Sequence, residues 1–151
     1  GKSWRFVHEW FKKNKISTDK LVVIDTSPYE TREEADKQLV VLRNKDVNAK
    51  FKSPLLKELK QFCKKNKISF SCKDKFIIEK NKLREKEGLK PISIGSTELG
   101  RIVMESNGQI QGATLQIPTT GYHTVDETAC VESIKAIIFI LSSFYIKTVN
   151  I

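Results

Sequence analysis

Apolar residues recur at three- and four-residue spacing near the amino end. Phe6, Val7, Trp10 and Phe11 lie on one side and Arg5, Glu9, Lys12 and Lys13 on the other, which predicts an amphipathic helix over Trp4 to Lys13. His8 lies between the two faces and reads as a half-buried structural histidine with no assigned role. Asn14 to Lys20 is a polar turn. The unbroken run Leu21-Val22-Val23-Ile24 then reads as a fully buried strand that ends on Asp25. A carboxylate behind four apolar residues must be paired, hydrogen-bonded or metal-bound, or else it caps a turn over Thr26 to Tyr29; this segment alone favours neither.

Tyr29 to Lys37 is a charged connector, and Gln38 to Arg43 carries the next strand. Ser53-Pro54 opens a helix with a hydroxyl cap and a proline in the first turn, and its inner stripe is Leu55, Leu56, Leu59, Phe62 and Cys63. Ile68, Phe70 and Cys72 alternate with polar residues, the period of a half-buried strand. Lys73 to Lys90 has at most one weak apolar face and fits an exposed helix, a mobile loop or a partner surface. Pro91 to Gly95 reads as a short strand, and Ser96-Thr97-Glu98 as the cap of a helix over Leu99 to Glu105. Gly95 before that helix reads first as a plain turn, with close approach of a ligand as the alternative. Asn107-Gly108 marks a turn, and Ala113 to Ile117 a strand that stops at Pro118. Thr124 and Asp126 are candidate caps for a last helix reaching about Ile146, buried on more than one side.

Strands thus alternate with helices. The pattern predicts one α/β domain over residues 1–151, three layers deep, with a mostly parallel or mixed sheet and helices on both faces. In such folds ligands gather beyond the carboxyl ends of strands, where this reading puts both Asp25 and His123.

Composition narrows the function classes. A chain of 151 residues can bury about 70% of the surface it exposes when unfolded. Cys63, Cys72 and Cys130 are odd in number and far apart, so they suit neither a disulfide framework nor a zinc ribbon, and a reducing, cytoplasmic setting is expected. The first residues carry no secretory apolar region, and Ala136 to Leu141 is too short to span a bilayer. With 27 basic and 18 acidic residues the net charge is +9, but only five arginines occur, scattered, without an aromatic ladder. That argues for a solvated lysine surface over nucleic-acid binding.

Three pieces, in order, resemble motifs of the co-catalytic zinc aminopeptidases, the tetrahedral and glutamyl types among the di-zinc exopeptidases. Val22-Val23-Ile24-Asp25 resembles the strand whose aspartate binds one zinc, and Gly95-Ser96-Thr97-Glu98-Leu99 resembles the Gly-Thr-Asp segment. Ile117-Pro118, Tyr122, His123, Thr124 and Glu127 resemble the terminal histidine motif, and Val40 to Asp46 before Ser53-Pro54-Leu55-Leu56 resembles the connecting strand and helix. Glu98 stands where the family has aspartate, the basic residue between proline and histidine is missing, and Lys73 to Lys90 looks like an insertion.

The resemblance implies a metal-dependent aminopeptidase with two zinc ions, or cobalt, in which Asp25 holds one ion and His123 the other. It also implies a peptide substrate and a homo-oligomer. The family's His-x-Asp pair, bridging aspartate and Glu-Glu pair have no counterpart upstream of Asp25. The chain is therefore expected to be the carboxyl-terminal part of a larger catalytic domain, with no catalytic residue of its own, completed by an upstream half of the same protein and inactive alone. The two donors should then face one pocket within about 8 Å of each other. The competing readings are a noncatalytic basic α/β module for an acidic or nucleic-acid partner, and a degenerate peptidase scaffold.

Overall fold

The computed structural model describes residues 2–146. The elements are α1 (Ser3–Lys13), β1 (Thr18–Pro28), α2 (Arg32–Asp36), β2 (Val40–Leu42), α3 (Pro54–Lys65), β3 (Phe70–Cys72), α4 (Lys73–Lys86), α5 (Glu98–Glu105), β4 (Ile110–Thr120), β5 (Thr128–Ala129) and α6 (Val131–Ile140), which continues as a π-helical turn over Leu141–Tyr145. Among the described residues five strands form one mixed sheet flanked by helices. Its order is β1-β4-β2-β3, with β5 also paired to β4. The pairings of β4 with β2, at Gln116 and Val41, and with β5, at Thr119–Ala129 and Thr120–Thr128, are antiparallel. Along β1 and β4 the contacts advance together, from Thr18 N–H on the Gln109 carbonyl to Tyr29 N–H on the Thr119 carbonyl, as in a parallel pair.

The chain divides into two compact units. One comprises the segments ending at Val23, Arg43–Leu56 and Cys72–Thr114; the other comprises Ile24–Leu42, Lys57–Ser71 and the stretch from Leu115 on.

In the first unit α1 packs on α5, and Trp4, Ile102 of α5 and Ile110 of β4 form one cluster with Val7, Phe11 and Leu21 against it. The buried stripe of α1 is thus Trp4, Val7 and Phe11. Phe6 and Trp10, expected inside, are 75% and 56% exposed. Arg5 and Arg101 lie over the Trp4 ring at 5.4 and 5.9 Å from its centroid. Gly112 of β4 comes so close to β1 that a Cβ there would lie 1.9 Å from the Leu21 carbonyl oxygen.

The opaque stretch from Lys73 is a regular helix tied at both ends. Asp74 in its first turn accepts the Asn44 amide at 2.8 Å, while Asn81 pairs with both backbone groups of Ile92 at 2.8 Å. Residues 91–97 form no strand, contrary to expectation. Their polar backbone is served by side chains instead: Asn81 at Ile92, the Ser93 hydroxyl at Gly95 N–H, and Arg43, whose guanidinium donates to the Ile94 carbonyl.

In the second unit β2 is wholly buried and α6 packs on it through the face that carries Ser133, Ala136, Ile137 and Ile140. Only that face is covered; Val131, Ile134 and Ile138 are 42–61% exposed, so the expectation of burial on several sides does not hold.

Two helices end on the same six residues, Lys-Lys-Asn-Lys-Ile-Ser, at Lys12–Ser17 and Lys64–Ser69. In each the asparagine amide group donates back to the carbonyl four residues earlier, Asn14 to Trp10 at 2.8 Å and Asn66 to Phe62 at 2.9 Å. The following lysine takes a left-handed conformation, φ 52° at Lys15 and 56° at Lys67, and the isoleucine N–H closes on the carbonyl five back. This six-to-one closure satisfies carbonyls that a helix end leaves open, and it turns the chain into the next strand.

Candidate functional site

Asp25 does not end its strand. β1 runs three residues further, to Pro28, and Tyr29 N–H still bonds the Thr119 carbonyl at 2.8 Å. Nor is the run before it fully buried, since Leu21 to Val23 are half-buried and Ile24 is 52% exposed. The Asp25 carboxylate faces solvent and accepts the Thr26 N–H at 2.8 Å, a local contact of the turn-forming kind rather than a partner from elsewhere in the fold.

His123 does not precede a helix either. β4 continues across Pro118 to Thr120 and turns back into β5, so residues 121–127 are a hairpin loop. Pro118 falls between the residue paired to β2 and the two paired to β5. Gly121 has φ 70°, and a Cβ there would lie 2.7 Å from the Asp126 carbonyl oxygen. Thr124 closes the loop: its N–H and hydroxyl donate to the Gly121 carbonyl at 3.0 and 2.6 Å, and its hydroxyl accepts Asp126 N–H at 3.2 Å. Thr124 and Asp126 therefore serve this loop, and α6 starts after Cys130 without a side-chain cap.

Within the loop His123 is itself left-handed, φ 61°, its ring exposed and stacked on Tyr122 at 3.8 Å between centroids. Its N–H donates to Glu127 Oε2 at 3.3 Å, while Glu127 Oε1 is buried without a hydrogen-bond partner among the described residues. The base of the hairpin is braced by Arg32, whose guanidinium reaches the Thr128 carbonyl and hydroxyl at 3.4 and 3.3 Å and grips Asp36 at 2.6 Å. The hydrogen bond to Arg32, then its charge, hold the Asp36 carboxyl below its ordinary range.

Asp25 thus lies within the sheet on β1, and His123 in the loop that follows β4. Gln116 donates through its side-chain amide to the Thr26 carbonyl at 2.9 Å, which sets Asp25 near Leu115–Gln116, whereas His123 stands three residues beyond the end of β4. A catalytic zinc takes three protein donors and keeps one position open. Among the described residues no group of three or more His, Cys, Asp or Glu side chains can hold a metal. Taken alone, the described chain does not fit a zinc ion.

The third matching piece, Gly95–Leu99, lies in the other unit and is built around an acid that the sequence did not single out. Asp46 is 6% exposed. Its Oδ1 accepts the N–H groups of Asn48 and Ala49 at 2.7 and 3.0 Å, and its Oδ2 accepts the N–H and hydroxyl of Thr97 at 2.7 and 2.8 Å. Thr97 in turn caps α5 by accepting Gly100 N–H at 3.0 Å, the role expected of it. Glu98 accepts the Ser3 hydroxyl. The signal for Asp46 was present in Asp46-Val47-Asn48, an Asx-turn sequence between two elements.

Among the described residues no helix is long and apolar enough to cross a membrane. No family model matches the chain, and no curated protein matches it. Among solved structures the chain is similar in fold to PhTET1-12s, a dodecamer in the asymmetric unit, with a TM-score of 0.58 and 15% sequence identity over 87% of this chain. The match takes in 34% of that protein's chain, so this chain spans about a third of its length, and what the likeness establishes is an α/β fold shared with part of PhTET1-12s.

Proposed function

We propose that the chain is part of a metal-dependent aminopeptidase that removes amino-terminal residues from peptides. In this reading Asp25 and His123 each give one donor to a different cation, zinc or cobalt. The remaining donors and the general base come from polypeptide outside residues 1–151. What carries the reading is the fold likeness to PhTET1-12s across 87% of this chain, together with the order of the three motifs that resemble tetrahedral aminopeptidases. The exposure of both side chains supports it, since each is left open to a group that approaches from outside. Assembly into a homo-oligomer belongs to the same reading, by likeness to a dodecamer, and so does a reducing, cytoplasmic setting, by the three free cysteines.

The test compares two proteins on aminoacyl p-nitroanilides with zinc or cobalt added. Residues 1–151 alone should show no turnover. A longer polypeptide carrying the upstream donors should be active, and Asp25→Ala or His123→Ala should each lower its kcat/KM by at least about 100-fold with the fold intact by circular dichroism. Turnover by residues 1–151, or full activity in both variants, refutes the assignment.

A further inference from the structure

The unit that contains neither Asp25 nor His123 has a cleft of about 830 Å³ where the end of α1 meets the turn from α5 into β4. That volume lies within the range of small-molecule sites. Its apolar wall comes from Phe11, Ile16 and Ile110, and its polar wall includes His8, Lys12 and Lys15. The side chains of His8, Lys12 and Lys15 have no hydrogen bond or ion pair among the described residues. Glu105 also lines the cleft, so two lysines and one glutamate leave a single net positive charge there with the histidine neutral.

The repeated hexapeptide gives an internal comparison. At the end of α3 the closing isoleucine, Ile68, is 9% exposed and belongs to the core; at the end of α1 the same residue in the same backbone conformation, Ile16, is 40% exposed and lines the cleft. The local sequence therefore delivers an apolar side chain in both places, and at the cleft it stays 40% exposed.

We propose that this cleft binds a single carboxylate carried on an apolar body. Lys12 and Lys15 receive the carboxylate, Phe11 and Ile16 cover the apolar part, and Glu105 disfavours a second anionic group. Carboxylates of this kind occur at the end of a peptide with an apolar last residue and on a free fatty acid. The proposal does not rest on the peptidase reading, because it uses none of that reading's residues.

The test is an NMR titration of residues 1–151 with octanoate, octanol, acetate, and N-acetyl-alanyl-leucine as free acid and as amide. Octanoate or the peptide acid should shift the amides of Phe11 to Ser17 and of Glu105 to Ile110, and bind at least about fivefold more tightly than its uncharged counterpart. The double variant Lys12→Gln, Lys15→Gln, both at exposed positions that leave the fold alone, should abolish that preference, and Ile16→Ser should weaken octanoate without affecting acetate. Stronger binding by the peptide acid assigns the source as a peptide terminus, and stronger binding by octanoate as a fatty acid. Equal binding of acid and uncharged partner, shifts confined to other regions, or a preference that survives the lysine substitutions overturns the proposal.

Discussion

Asp46→Ala is expected to be among the most damaging single changes in the chain. Its carboxylate receives four donors between 2.7 and 3.0 Å, three backbone N–H groups and one hydroxyl, and the two from Thr97 have little other access to a partner because that residue is 4% exposed. Hydrogen bonds to a charged acceptor contribute about 1.5–3 kcal/mol each but are not additive, and each buried donor left open costs about 1–3 kcal/mol. Allowing water to satisfy part of the gap, the loss should be about 3–5 kcal/mol, a large share of the 5–15 kcal/mol that holds an ordinary domain. Asp46→Asn keeps the shape but turns one acceptor into a donor, so it should lose about half as much. Urea unfolding followed by circular dichroism measures both, through the midpoint at constant slope. A second arm makes the reasoning harder to satisfy by accident. In the parent chain Gly100→Ala should destabilise, because a Cβ there would lie 2.0 Å from Asp46 Oδ2. In the Asp46→Ala background the obstruction is gone, and alanine should stabilise by up to about 1 kcal/mol through its better helix propensity. A loss under about 1 kcal/mol for Asp46→Ala, or a Gly100→Ala effect of the same sign and size in both backgrounds, would refute it.

Gly121→Ala should cost about 1–2 kcal/mol, since φ 70° is a left-handed conformation, and should free the Tyr122–His123 stack, visible as a loss of ring-current shifts on the imidazole protons. Burial pushes the Cys63 thiol up to about 11, so at pH 8 only about one molecule in a thousand carries its thiolate; a thiol reagent should label the half-buried Cys72 and Cys130 in the native protein, and Cys63 only on unfolding. Asp36 has a lowered folded-state pKa, so the support it gives through Arg32 is complete above the ordinary carboxylate range and is lost as pH falls through the lowered value. Exchange of the Thr120 and Thr128 amides should therefore rise on the acid side, and Asp36→Asn should raise it at neutral pH and remove the pH step. Asn66→Ala, which deletes the back-bond to Phe62, should cost about 0.5–1.5 kcal/mol in urea unfolding.

Local chemistry made much of the fold readable. Ser53 accepts Leu55 N–H and Thr97 accepts Gly100 N–H where a cap was expected, and α1, α3 and α5 lie where their periodicity placed them. What the sequence hid depends on partners distant along the chain. Thr26-Ser27-Pro28 looks like a stop, yet β1 passes through it because β4 lies alongside, and Pro118 is passed for the same kind of reason. The helix from Lys73 has almost no apolar face of its own and is held by Asn44 and Ile92, thirty residues before Asp74 and eleven after Asn81. For α1 the period was right but the inward face was not, because excess apolar residues at helical spacing leave the rotation undetermined until a neighbour is present, and α6 is covered on one face where its apolar run suggested more. The candidate site suffers from both effects. His123 and Glu127 were legible as a motif, but the hairpin that carries them is fixed by pairing with β5 and by Arg32 from α2.

The close passage of Gly112 over the Leu21 carbonyl means that β1 and β4 can mate in only one setting. Sliding either strand by one residue would bring Gln111 or Ala113 to the place where even a methyl group has no room, and would also reverse which side chains face inward. A missing side chain thus acts as a key, and any change that enlarges it should raise the proportion of wrongly paired chains during refolding as well as weaken the finished sheet.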